Sequence, residues 1–131
     1  MIVVGQSEKV ARWLGEKLET AFNPPFEAIG ILNKDGKAVG GAVLNDFADR
    51  NCELTMYAPN VFQRDAYRWI ADYAFRVNDC LRMTIRTRAS NLYVRRLVEH
   101  HGFKMEGTLR CWYDDEDAVI YGLLREDCKF L

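Results

Sequence analysis

The chain has 131 residues, 49% of them hydrophobic and 28% charged, a balance that suits one domain with its own apolar core. Eighteen Lys and Arg against nineteen Asp and Glu give a formal net charge of −1. This argues against a dedicated nucleic-acid or anionic-membrane binder, whose affinity rests on a basic excess. No apolar run approaches the ~20 residues that span a bilayer. The opening Met1–Gln6 lacks the basic and apolar regions of an export signal, so a cytoplasmic protein is expected.

In chain order, Gln6 to Phe22 reads as a helix, with Ser7 as its N-cap and Val10, Trp13, Leu14 and Leu18 at helical intervals. Pro24-Pro25 is expected to close it. Two extended runs follow, 27–33 and 38–44, joined by Asp35-Gly36, a strong hairpin signal. Gly40-Gly41 inside the second run predicts a bulge or a close backbone approach. Asp46 to Asn51 reads as a polar turn, and Cys52 to Ala58 as the next strand, stopped by Pro59.

Phe62 to Val77 is the best amphipathic helix. Phe62, Ala66, Trp69, Ile70, Tyr73, Ala74 and Val77 form one apolar stripe. Leu81 to Thr87 alternates as a strand with Leu81, Met83 and Ile85 on one face. A helix capped by Ser90 or Asn91 and stopped by Gly102 then places Val94, Leu97, Val98 and His101 on a buried side. Phe103 and Met105 lead into a strand. The acidic turn 114–117 precedes the last strand, 118–124. The order αβββαβαββ, without repeats or linkers, predicts one α+β domain.

The four cysteines form no Cys-x-x-Cys pair, so zinc-ribbon and thioredoxin readings fail. They are expected to be reduced and mostly buried, and no metal is expected. His100-His101 at a helix end are expected to meet its last carbonyls rather than a metal.

Asn91-x4-Arg96-Leu97-x-Glu99-x2-Gly102-Phe103-x2-Glu106-Gly107, followed by the final strand from Ile120 to Glu126, resembles the GNAT family of acyl-CoA-dependent N-acetyltransferases. Within that family the chain looks most like the branch of the ribosomal-protein N-terminal acetyltransferases, and its compactness is similar to small phage-encoded members. The resemblance spans nearly the whole chain by element order, and by motif the region from Cys80 to Glu126. It implies a mixed, mostly antiparallel sheet splayed between strands 52–58 and 81–87, with helices on both faces.

It also implies that acetyl-CoA lies in that splay as co-substrate. Its pantetheine arm would pair with the strand edge at Met56 and Tyr57. Its pyrophosphate would rest at the start of the second helix, on Gln63, Arg64, Asp65 and Ala66, where free amides and a positive dipole end suit an anion. Asn91 and Arg96 match cofactor-contacting positions. The sequence departs from the family in two places. The segment 61–67 has no glycine where the family's phosphate loop is glycine-rich. Val94 and Val98 stand where relatives carry a serine or tyrosine proton donor.

Transfer to an amine needs a base, a polarised thioester and a proton for the thiolate. Glu53 is the candidate base, because the family often carries a glutamate on this strand. Tyr113 and Tyr121 are the candidate acids, on the last two strands. Arg82, Arg86 and Arg88 share one strand face. They either form a basic lip for the CoA phosphates or pair with nearby acids. The expected function is acetyl-CoA-dependent acetylation of a primary amine on a peptide, a protein or a small molecule, by a monomer or homodimer. The alternative is a catalytically degenerate binding or regulatory module of the same fold.

Overall fold

The computed structural model describes residues 1–57 and 63–130. A short strand β1 (Ile2–Val3) leads to helix α1 (Ser7–Leu18), then β2 (Glu27–Leu32), β3 (Ala38–Ala48) and β4 (Asn51–Tyr57). Helix α2 (Arg64–Asp72) runs on into a wider π turn, Tyr73–Val77. After it come β5 (Arg82–Arg88), α3 (Leu92–His100), β6 (Lys104–Leu109), β7 (Ala118–Leu124) and a 3-10 turn, Arg125–Asp127. The strands form one sheet in the order β1-β2-β3-β4-β5-β7-β6, antiparallel except at β4–β5. This is the α+β architecture expected, with β1 as an added edge strand.

Alternation along the strands divides the core between the two faces. Ile29, Ile31, Ala42, Leu44, Cys52, Leu54, Met83 and Ile85 point to the face covered by α2 and α3, against Tyr67, Ile70, Phe75 and Val98. Ala28 and Val43 point the other way, under Ala11 and Leu14 of α1. That second interface is close. A Cβ on Gly41 would lie 2.8 Å from the Ile29 carbonyl oxygen and 3.2 Å from Leu14. Gly40-Gly41 therefore serves both purposes predicted for it, since Val39 is also bulged out between the Ile31–Gly40 and Leu32–Ala38 pairs.

Several boundaries differ from the sequence reading. Ser7 is the first residue of α1, not its cap. Its hydroxyl hydrogen-bonds Glu27 and accepts from Ala28 N at 3.0 Å, so it ties the helix start to β2. The helix ends at Leu18, with Glu19 in the left-handed region (φ 55°), before the prolines are reached. The expected turn at Asp46 is instead the end of a longer β3. The chain reverses at Asp49-Arg50, both with positive φ (51° and 67°), between the paired Ala48 and Asn51. The reversal lies inside the predicted turn 46–51, but neither residue is glycine, so the pattern did not mark which two residues make it. Leu81 precedes β5 and is exposed. Met105 is exposed as well, and Cys111 is the exposed thiol among four. Phe62 lies outside the described residues.

Candidate active site

β4 and β5 run parallel but pair over only three rungs, Asn51–Arg82, Cys52–Met83 and Glu53–Thr84. The seam is fastened on one face by side chains: Thr84 Oγ donates to Asn51 Oδ1 at 2.7 Å, and Arg82 Nε reaches both. Beyond Glu53 the strands part. β5 continues along β7, while Leu54–Tyr57 stays paired with β3 and leaves its other backbone edge without a partner strand among the described residues. The gap is a cleft of about 600 Å³ that passes through the sheet. On the α1 face it is lined by Glu53, Thr55, Arg86 and Arg88, with Phe22, Trp112 and Tyr113 closing over it. On the α3 face it is lined by Leu54, Met56, Thr87, Asn91, Val94 and Leu97. A larger groove of about 950 Å³ lies against α1 and the segment after it, and it meets the cleft at Thr20, Ala21 and Phe22, which line both.

Glu53 sits at the apex, where the seam ends. Its Oε1 accepts from Arg86 Nη1 at 3.0 Å. Burial pushes its carboxyl above the ordinary glutamate value, and Asp46 adds to the rise, while Arg86 opposes it. The half-buried carboxylate therefore keeps more basicity than one in water. Asp46 reaches this position because β3 bulges between Asn45 and Ala48 and places it at φ 52°. Asn45, the one buried polar residue among those described, pairs across from Glu53 and lines the same cleft. Sequence reasoning missed both, because it read Asp46 as turn.

The three arginines of β5 pair with acids. Arg82 grips Glu106 through two nitrogens (2.6 and 3.3 Å), Arg86 binds Glu53, and Arg88 binds Asp115 (2.7 Å) and Glu116 (3.3 Å). The basic lip is thus neutralised. Arg88 holds the Asp115 carboxyl below its usual range, and Ser90 with Arg88 does the same for Glu116. The acidic turn is tied down rather than free in solvent, since Asp117 also accepts from Cys111 N at 2.8 Å.

Of the two candidate acids, Tyr113 lies in the cleft, its ring 4.2 Å from the Arg88 guanidinium. Tyr121 does not. It is fully buried on the opposite sheet face, donating to Glu99 at 2.7 Å and accepting from Arg95 at 3.1 Å. Tyr121 is corrected from candidate acid to a strut between β7 and α3. Val94 faces the cleft and Val98 is fully buried, so α3 offers no proton donor at those positions. Tyr93, an exposed cleft residue on α3, was also missed, because it is off the buried stripe that drew the helix.

On the cofactor side, Met56 lines the cleft. The Tyr57 ring packs edge-on against Trp13 on the α1 face, leaving its backbone at the free edge. Gln63 precedes α2 with no side-chain cap, Arg64 and Asp65 are exposed, and Ala66 is buried. Val61 and Phe62 of the expected phosphate segment fall outside the described residues. Asn91 is at the cleft, but its side chain also accepts from Val94 N at 3.3 Å and caps α3. Arg96 is exposed on α3 and does not line the cleft. Among the described residues no group of three or more His, Cys, Asp or Glu is placed to hold a metal ion.

No family model matches the chain, and no curated protein matches it in sequence. Solved structures do match it. The spermidine N-acetyltransferase of Vibrio cholerae in complex with CoA and spermine superposes with a TM-score of 0.67 at 16% identity, covering 88% of this chain and 74% of that one. A mutant of the same enzyme gives 0.68 at 18% identity, over 96% and 79% of the two chains. A chimera of the Vibrio cholerae and hSSAT enzymes gives 0.66 at 18% identity, over 87% and 75%. The fold is therefore the one that the sequence motifs pointed to, a single α+β domain with a seven-stranded mixed sheet, shared with these solved N-acetyltransferases.

Proposed function

We propose that the chain is an N-acetyltransferase that moves an acetyl group from acetyl-CoA to a primary amine by direct attack in a ternary complex. The observation that carries the reading is the cleft through the β4–β5 splay, with the Glu53 carboxylate at its apex and a free strand edge along one wall. An extended, amide-bearing pantetheine arm can pair with the edge at Met56 and Tyr57 as an added strand would. The uncapped start of α2, from Gln63 to Ala66, offers amides to the pyrophosphate, with Arg64 offsetting the charge of Asp65. Asn91 flanks the cofactor from α3, and Arg96, exposed outside the cleft, can reach only a part of the cofactor that extends beyond it.

The acceptor enters from the α1 face, where Asp46 and Glu53 favour a cation. Glu53 takes a proton from the ammonium. The freed nitrogen attacks the thioester carbon, whose oxygen is polarised by a backbone N–H of β4. The new C–N bond forms as the C–S bond breaks, and Tyr113 returns a proton to the thiolate. Small amines, including polyamines such as the spermine seen in a structural neighbour, and peptide N-termini both suit this mouth.

Acetyl-CoA at roughly 100 times its dissociation constant is expected to stabilise the fold by about 2.7 kcal/mol, read as a rise in Tm. Thiol release over a panel of amines and peptides then identifies the acceptor. Glu53→Gln is expected to keep the Tm rise and lose turnover. A second reading, a binding module of the same fold, is favoured by Val94 and Val98 and by the glycine-free segment 61–67. Acetyl-CoA binding without thiol release for any amine selects it. No Tm rise at millimolar acetyl-CoA removes the enzyme reading.

A further inference from the structure

Glu53 has a single cation paired with it, Arg86, and Asp46 as its acidic neighbour. Arg86, on the neighbouring strand and the same sheet face, donates to Glu53 Oε1, and the guanidinium is itself covered by the Trp112 indole, with Cζ 4.5 Å from the ring centroid. Trp112 belongs to the turn between β6 and β7. That turn is anchored by Asp115 and Glu116 on Arg88, one same-face position further along β5. A guanidinium on a long stem loses orientation easily, and stacking on an aromatic face fixes its plane while leaving its N–H groups free in that plane.

We propose that Arg86 and Trp112 are positioning residues for Glu53: the indole holds the guanidinium, and the guanidinium holds the carboxylate at the apex of the cleft, open to the acceptor. This rests on the acetyltransferase reading for its consequence, but not for its geometry. The charged groups facing Glu53 are Asp46 from β3 and Arg86 from β5. Asp115 and Glu116 are engaged by Arg88. Arg86 favours the ionised carboxylate, and burial and Asp46 oppose it. Loss of the clamp therefore raises the pH at which Glu53 ionises, and loss of Asp46 lowers it.

The test is a pH titration of the Glu53 side-chain carbon by NMR in the full chain, alongside the pH profile of kcat/KM. Arg86→Met is expected to raise the midpoint by about one pH unit. Trp112→Leu is expected to raise it less, in the same direction, and Trp112→Phe to restore it. The double variant is expected to match Arg86→Met alone, because Trp112 acts through Arg86. Asp46→Asn should move the midpoint down. Trp112 is 51% exposed, so its truncation leaves the core intact. In each variant the acid limb of kcat/KM follows the titration, while KM for acetyl-CoA stays put. An Arg86→Met midpoint equal to wild type, or additive shifts in the double variant, overturns the clamp even if turnover persists. Midpoints that move as expected in a chain that acetylates no amine support the clamp and discard the enzyme reading instead.

Discussion

Arg82 and Glu106 meet directly above Gly122, where a Cβ would lie 2.5 Å from the Arg82 Nη2 and 2.6 Å from a Glu106 oxygen. The bidentate pair needs a residue without a side chain beneath it. Gly122→Ala is expected to push the pair aside and cost about 1 kcal/mol, at the low end for overpacking because both groups are ends of flexible chains; urea denaturation measures it. Asn91 is a second case of one side chain with two duties. Because it caps α3, Asn91→Ala is expected to lose about 1 kcal/mol of stability whatever the cofactor does. Asn91→Ser keeps a cap, so a loss of acetyl-CoA affinity in Asn91→Ser at unchanged Tm isolates the cofactor contact. A third residue-scale expectation concerns acid. Arg88 and Ser90 hold Asp115 and Glu116 below their ordinary values of 3.8 and 4.5. Their contribution is complete above those values and is lost as pH falls through the depressed folded ones. The turn carrying Trp112 and Tyr113 should therefore loosen in acid before the core does, visible as a change in Trp112 fluorescence ahead of the far-ultraviolet transition. The Asn91 cap was legible in the sequence, and so was the option that the β5 arginines pair with acids, but which acid each one takes was not. Arg82, Arg86 and Arg88 could be put on one face by alternation, but their acids come from β4, from β6 and from the turn before β7, and only the strand register chooses them.

At the scale of elements, periodicity worked where a segment has one wet and one dry side. The stripes of α1 and α2 and the alternation of β5 placed Leu14, Ile70, Met83 and Ile85 in the core, as found. Boundaries failed where a tight reversal uses residues other than glycine, as at Asp49-Arg50 and Glu19. That failure reached the site, because reading 46–51 as turn hid Asp46 and Asn45 from the list of cleft residues. The α1–sheet interface makes its own prediction. Any side chain at Gly41 strikes backbone at Ile29 and the Leu14 methyls, so Gly41→Ala is expected to destabilise by about 2 kcal/mol. The loss should appear in the denaturation midpoint, and the amides of α1 should be the first to lose protection.

For the whole molecule, the element order and the motif from Asn91 to Gly107 were enough to indicate the splayed sheet, because each strand and helix carries its own local signal. The candidate site was only partly legible. Glu53, Met56 and Asn91 were named from the resemblance and do line one cleft, whereas Tyr121 turned out to face away from it. The seam itself has a use beyond chemistry. Past its three rungs no described strand pairs with the open edge of β4, so amide protons on that side of Leu54–Tyr57 have no strand among the described residues to shield them. In deuterated solvent those amides should exchange within the shortest labelling times while their neighbours at Cys52 and Glu53 hold. Anything that lies along the edge as a strand would slow the same few positions and leave the rest of β4 unchanged, so the fissure carries its own gauge of occupancy.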